Sequence, residues 1–500
     1  MGKKGGGAVG REGSITVFLA LLLSVLVALV AAALESVRVA SGRTHILNGV
    51  DVGLYSLFAQ YDRELLERYE IFGLHPAAPS DEVPVGKAYE IFEKYMDPLL
   101  RVRGIDMEIE LGGVSGYTLL TDQGGQIFRQ QAVKRQEEAL GQQSVEWALD
   151  QVRTRSKSVQ DQEQAWEDIQ EGEALNEYDQ AVDQAVTEEE VWESEGTQEG
   201  SEGESFQEEE GFQVEKGHQD PVENPIQTIR ELMNRGILQL VLEDPQDVSW
   251  VAMDTSQMVS NRERRTGFGM GVSPQETSPV ERYLFQRYVL EKMGHYRNPG
   301  QGEMRYQTEY VLYGRSSDGE NLKAAANRLL LIREGLNLIH LLSDPAKRAQ
   351  AQSLALSIAS AFLFPPASVI IETAIIVCWA FGESVLDLRE LFAGGKIGLW
   401  KNAQTWQLSL ENLAHLPELL ENGHRGDDEG LSYEEYLQVL LFLEDEDTQV
   451  LRAMDQMELG LRSSKGSSLF RLDHCIGALE VEVEVRVQNQ VLTVTRQYGY

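Results

Sequence analysis

Cysteine is almost missing, with two residues in 500: Cys378 in a strongly apolar run and Cys475 near the carboxyl end. No CxxC and no paired Cys/His spacing occurs, which excludes a thiolate metal site. One disulfide is arithmetically open, but two buried free thiols are the simpler expectation. Basic residues are the minority charge. Against 44 Lys and Arg stand 80 Asp and Glu, a formal charge of -36 with a pI near 4.6, so phosphate backbones would be repelled and no nucleic-acid partner is expected. The eight histidines are scattered without HExxH or comparable spacing. His474 and Cys475 are adjacent, but sequence neighbours rarely face one another, so a thiol–imidazole pair is not expected.

Motifs for phosphate and calcium are equally thin. Gly5, Gly7 and Gly10 match GxGxxG by spacing but precede an apolar run where a strand should come first. Gly267-Phe268-Gly269-Met270-Gly271 lacks the strand–turn–helix context. Asp427-Asp428-Glu429-Gly430 resembles the middle of an EF-hand loop. Position twelve counted from Arg425 is however Tyr436, and the bidentate glutamate is missing. No catalytic, cofactor-binding or metal-binding residue is expected, and no cofactor.

What the chain does have is Ser14 to Leu34, an unbroken stretch without charge or proline, close to the ~20 residues that cross a bilayer core as a helix. Lys3, Lys4 and Arg11 precede it and Glu35 follows, which puts the amino end in the cytoplasm and residues 35–500 outside. The expected place is the cell membrane, as a single-pass protein. Cleavage as a signal peptide is the rival reading, with Ala31-Ala32-Ala33 as its small-residue site. Within the stretch Thr16, Ala20, Ser24, Ala28, Ala32, Ser36 and Ala40 are all small and recur every fourth residue, a ridge that lets another helix approach.

The helix is expected to continue as an amphipathic stem. Leu47, Val50, Leu54, Leu57, Tyr61, Leu65, Tyr69 and Phe72 form its apolar face, Gly42, Gly49 and Gly53 are points where it can bend, and Gly73 and Pro76 end it. Alternation predicts strands over 105–111, 306–312 and 479–496, one small antiparallel sheet flanked by helices. Residues 142–224 are rich in Glu, Gln, Ser and Gly with few apolar residues, the composition of a disordered or loosely helical insertion. The second uncharged run, 353–371, is broken by Pro365-Pro366 and fits a buried hairpin better than a second span. The fold class is therefore α+β. The chain reads as a cytoplasmic tip (1–13), a transmembrane helix (14–36), the stem and first part of the α+β domain (37–141), the acidic insertion (142–224) and a main helix-rich α+β domain closing on a β-hairpin (225–500).

Two sets of motifs carry a resemblance. GSITVFLALLLSVLVALVAAALESVRV followed by a stem resembles the TadE/TadG-like minor pilins of tight-adherence pili. ENLKAAANRLLLIREGLNLIHL, CWAFGESVLDLRELFAGGK, WQLSLENL, GLSYEEYLQVLLFL and LFRLDHCIGALEVEVEV resemble an uncharacterised family of Gram-positive bacteria with the same kind of anchor. That resemblance implies association with tight-adherence loci and supplies no catalytic residue. It makes Gly13-Ser14 the counterpart of a prepilin-peptidase junction, after which pilins place a glutamate at the fifth mature position. Here Phe18 stands there.

The function expected is a non-enzymatic, membrane-anchored extracytoplasmic protein, an accessory or minor pilin-like component of a pilus or secretion system. Its partners would be the membrane and, through helix–helix association, other components of that system. The alternative is an envelope-anchored hydrolase whose carboxylate site is assembled only by folding. Two carboxylates with opposed pKa shifts in a polar pocket would favour it.

Overall fold

The apolar run does not stop at the alanines. Helix α1 spans Glu12–Phe58, 47 residues without a break: no proline interrupts it, and Glu35, Arg38, Arg43 and Asp51 are tolerated beyond the apolar stretch. The computed structural model describes residues 12–76, 82–167, 175–181, 224–271, 277–361, 367–421, 430–466 and 469–500. Two compact units make up the chain. The first comprises Met1–Gln131, Glu263–Gln275 and Leu461–Tyr500, the second Ala132–Arg262 and Glu276–Gly460.

In the first unit, α1 is followed by α2 (Arg63–Tyr69), α3 (Val85–Met96), β1 (Met107–Leu119) and the first half of α4 (Asp122–Leu140), and the chain returns as β2 (Ile476–Val487) and β3 (Gln490–Gly499). The sheet order is β1-β2-β3, antiparallel throughout. Val481, Val483, Val485 and Val487 of β2 are fully buried against Ile46, Val50, Leu54 and Leu57 of α1 and Phe92 and Met96 of α3. Glu482 and Arg486 face outward, as the alternation requires. The turn into β3 is Gln488-Asn489, with Gln488 in the left-handed region at φ 57°.

Two details of the stem differ from the sequence expectation. It breaks after Phe58, because Asp62 caps a new helix by accepting the Leu65 amide, 3.0 Å away, while its own amide donates to the Gly73 carbonyl at 2.9 Å. Gly42 and Gly53 of α1 sit at close contacts inside an unbroken helix. A Cβ on Gly53 would lie 2.9 Å from the Phe92 ring and one on Gly42 2.6 Å from a Val487 methyl. They are glycine so that α3 and β2 can close on the helix.

The second unit is helical. It holds α5 (Gln142–Glu167), α6 (175–181), α7 (Pro225–Met233), α8 (Ile237–Val241), α9 (Pro279–Lys292), α10 (Gln307–Tyr313), α11 (Asp318–Ser343), α12 (Pro345–Ala361), α13 (Ser368–Ala393), α14 (Leu416–Glu421), α15 (Tyr433–Leu443) and most of α16 (Glu446–Lys465). The stretch read as an acidic insertion thus opens as a packed helix: Val145, Leu149, Val152 and Val159 of α5 are buried at three-, four- and seven-residue steps. Residues 182–223 lie outside those described. The strand expected at 306–312 is instead helix α10. Residues Gln307 to Leu312 are all buried, and core positions taken by Gln307, Thr308 and Glu309 gave the segment a false alternation of polar and apolar residues. The apolar window of α13 is 72% buried, as in the core helix of a soluble body, which accords with a hairpin of α12 and α13. Many helices and one small antiparallel sheet make the fold α+β.

Candidate functional site

The ridge residues Thr16, Ala20, Ser24, Ala28, Ala32, Ser36 and Ala40 all lie in α1 and are exposed. At 100° per residue each four-residue step advances the stripe by about 40°. The ridge therefore winds around the helix, and only three or four successive members can meet one straight partner. Ile15 to Leu34 present their large side chains outward, with Phe18 66% exposed and Leu29 69%. The Ser24 hydroxyl donates to the Leu21 carbonyl at 2.8 Å, so it needs no water. Gly13 and Ser14 fall in the first turn of α1, and their side chains lie outside those described.

The densest assembly of charge is inside the second unit. Arg333 and Asn337, one turn apart on α11, face Glu383, Ser384 and Asp387 on α13, and Lys401 reaches in from the following loop. Arg333 donates from Nε and Nη2 to Asp387 Oδ2 (3.0 and 2.8 Å) and from Nη1 to the carbonyls of Gly398 and Leu399 (2.8 and 3.1 Å). Lys401 Nζ lies 2.6 Å from Glu383 and 2.6 Å from Asp387. The Glu383 carboxylate also accepts the amides of Gln407 and Leu408 (3.0 and 2.7 Å). Asn337 donates to Ser384 Oγ and Asp387 Oδ2. None of these four charged side chains is more than 3% exposed.

The electrostatics follow from burial and pairing. Burial pushes the Glu383 carboxyl up, the neighbouring Asp387 charge adds to this, and Lys401 opposes it. Burial would also raise Asp387, but the Arg333 and Lys401 charges outweigh it and hold the carboxyl below the usual range. Two carboxylates with opposed shifts are therefore present. The groove of about 560 Å³ in this unit is lined by Pro225, Gln350, Ser353, Ser357, Leu410 and Glu411, among others, and neither carboxylate is among its lining residues. Two cations balance two anions, and the quartet clips the 398–408 loop to α11 and α13. Its arrangement is that of a structural core.

Sequence reasoning missed this cluster, although signals for it were present. Arg333/Asn337 and Glu383/Asp387 are each i,i+4 polar pairs beside apolar runs of their helices, and both pairs fall inside motifs quoted above. Other flagged residues have structural roles. Gly267 and Gly269 let their loop lie against β1: a Cβ on either would meet the Tyr117 or Ser115 carbonyl at 2.4 or 2.2 Å, and Phe268 exchanges backbone hydrogen bonds with Tyr117. Ser432 caps α15 in a full capping box with Glu435. Asp427 to Glu429 lie outside the described residues. Cys378 and Cys475 are buried free thiols, and among the described residues no group of His, Cys, Asp and Glu could hold a metal ion.

No curated protein and no solved structure matches the chain. One family does, over residues 215–487, more than half of the length. That span takes in the whole charged cluster and the inner strand β2. The chain belongs to the family of unknown function DUF5702.

Proposed function

We propose that this is a membrane-anchored extracytoplasmic protein without catalytic activity, acting as an accessory, minor pilin-like component of a tight-adherence pilus or secretion system. The observation that carries the reading is α1. Its membrane-length stretch has a mean hydropathy of 3.0 and no buried residue. The same helix then continues, unbroken, into the core of the first unit at Ile46. A helix that anchors and also nucleates a folded body suits a protein held at a membrane to engage others. The small-residue ridge is the surface it would offer them within the bilayer, with Gly13-Ser14 as the junction if processing is pilin-like.

Protease added to intact cells or spheroplasts, combined with the mass of the mature amino terminus, tests this. Digestion of residues 40–500 from outside with the first residues retained is the expected result for a simple anchor. A new terminus at Ser14 supports pilin-type processing. A terminus near Leu34, with the protein released to the medium, overturns the anchored reading.

A further inference from the structure

From Ala349 to Ile371 the chain carries no charged residue, although it holds 44 basic and 80 acidic residues in total. The described ends of this stretch are the second half of α12 and the first turns of α13. One side of α12 is buried: Ala351, Ala355, Ile358 and Ala359 pack inward. On the other side Leu356 is 49% exposed, and Val369 at the start of α13 is 69% exposed.

Three hydroxyls of this outer surface are satisfied within their own helices. Ser357 Oγ donates to the Ser353 carbonyl (3.0 Å), Ser360 Oγ to the Leu356 carbonyl (2.7 Å) and Thr373 Oγ1 to the Val369 carbonyl (3.1 Å). Hydroxyls satisfied within their own helix are what a hydrocarbon-facing surface requires, and Ser24 does the same in α1. The charge pattern points to the same partner. An anionic lipid surface would repel an acidic chain of net charge -36, whereas a stretch with no charge of its own, bounded in sequence by Arg348 and Glu372, adds nothing to that repulsion.

We propose that the Ser353–Ala361 end of α12 and the Ser368–Thr373 start of α13 form a second contact with the bilayer, lying shallowly in its interface while α1 spans it. Interfacial segments of this kind settle roughly 5–10 Å into the headgroup boundary. The buried charges of Glu383 and Asp387 keep the rest of α13 in the protein core. This rests on the anchored reading, because α1 is what holds the chain within reach of lipid.

The test uses the full chain in nanodiscs of phosphatidylcholine and phosphatidylglycerol, with and without brominated acyl chains. Val369→Cys, and separately Leu356→Cys, carries an environment-sensitive fluorophore, and Ser24→Cys reports on α1. Cys378 and Cys475 are fully buried, so labelled native protein supplies the background. The expected result is loss of emission in brominated lipid at 369 and 356 as well as at 24, with protection from aqueous iodide. Quenching at 24 alone, with 369 and 356 open to iodide, overturns the hairpin contact and leaves the anchor standing. No quenching at any position overturns both. Protection from iodide without bromolipid quenching, lost when each nanodisc holds a single chain, assigns the surface to a second copy and overturns the proposal.

Discussion

Glu309 is buried without a cation bonded to it: its carboxylate accepts the Tyr296 amide and the Tyr433 hydroxyl, each at 2.8 Å. Asp455 likewise accepts the Ser260 amide and hydroxyl and the Tyr310 hydroxyl at 2.9, 2.6 and 2.8 Å. Burial pushes Glu309 up to about 7 and Asp455 up to about 6. The folded chain therefore keeps protons that the unfolded chain has released, so these groups lower stability as pH rises through the window from about 4 to 7. His295 and His340, pushed down by burial, act oppositely as pH falls below their ordinary range, which makes a variant comparison necessary. Glu309→Gln is expected to gain on the native chain by up to ~3 kcal/mol between pH 5 and pH 8 in denaturant titrations. The buried quartet gives a second prediction. Arg333→Met or Asp387→Leu alone should cost about 3–5 kcal/mol by stranding a charge, while the double variant, which leaves the Lys401–Glu383 pair intact, should cost far less than the sum. None of these partners was legible in the sequence. Glu309 lies 124 residues from Tyr433, and only the presence of charge in apolar helices marked the quartet as unusual.

At the scale of elements, the sequence was read best where one face meets water. The alternation of valine with glutamate in β2 and the apolar face from Leu47 to Tyr69 both depend on a polar side to contrast with. It was read worst where that contrast disappears, as in α10, whose polar side chains are inside. Period cannot separate strand from helix in such a buried segment. The glycines of α1 show a related ambiguity: propensity marks them as weak points, whereas the partner that needs the space is far away in sequence. Gly53→Ala should cost about 1–3 kcal/mol through overpacking against Phe92. Phe92→Leu in the same chain should recover part of that in thermal unfolding, whereas a loss arising from helix bending would not be relieved.

For the molecule as a whole, the order of assembly is set by the sheet. β1 pairs with β2 from Met107↔Val487 to Leu119↔Ile476, so the first unit stays incomplete until β2 has been made, and closing so long a loop slows folding. In a chain ending at Gly460, the α1 face formed by Ile46, Val50 and Leu54 has lost its β-sheet cover. Hydrogen exchange should then show the amides of residues 85–119 losing protection, whereas protection equal to that of the full chain would mean that α1 and α3 suffice. Two units could not be read from the sequence, because the first is made of three segments far apart along the chain.

The way β3 ends matters for how the chain bears load. The Tyr500 hydroxyl donates to the Phe58 carbonyl at 2.7 Å, and Arg496 pairs with Asp51 at 3.4 Å, so the last strand grips the far end of the helix that begins in the membrane. A pull on that helix enters the first unit near Ile46 and passes by these contacts to the final turn of the chain. Tension applied between α1 and β3 would be borne within the first unit by one small three-stranded sheet.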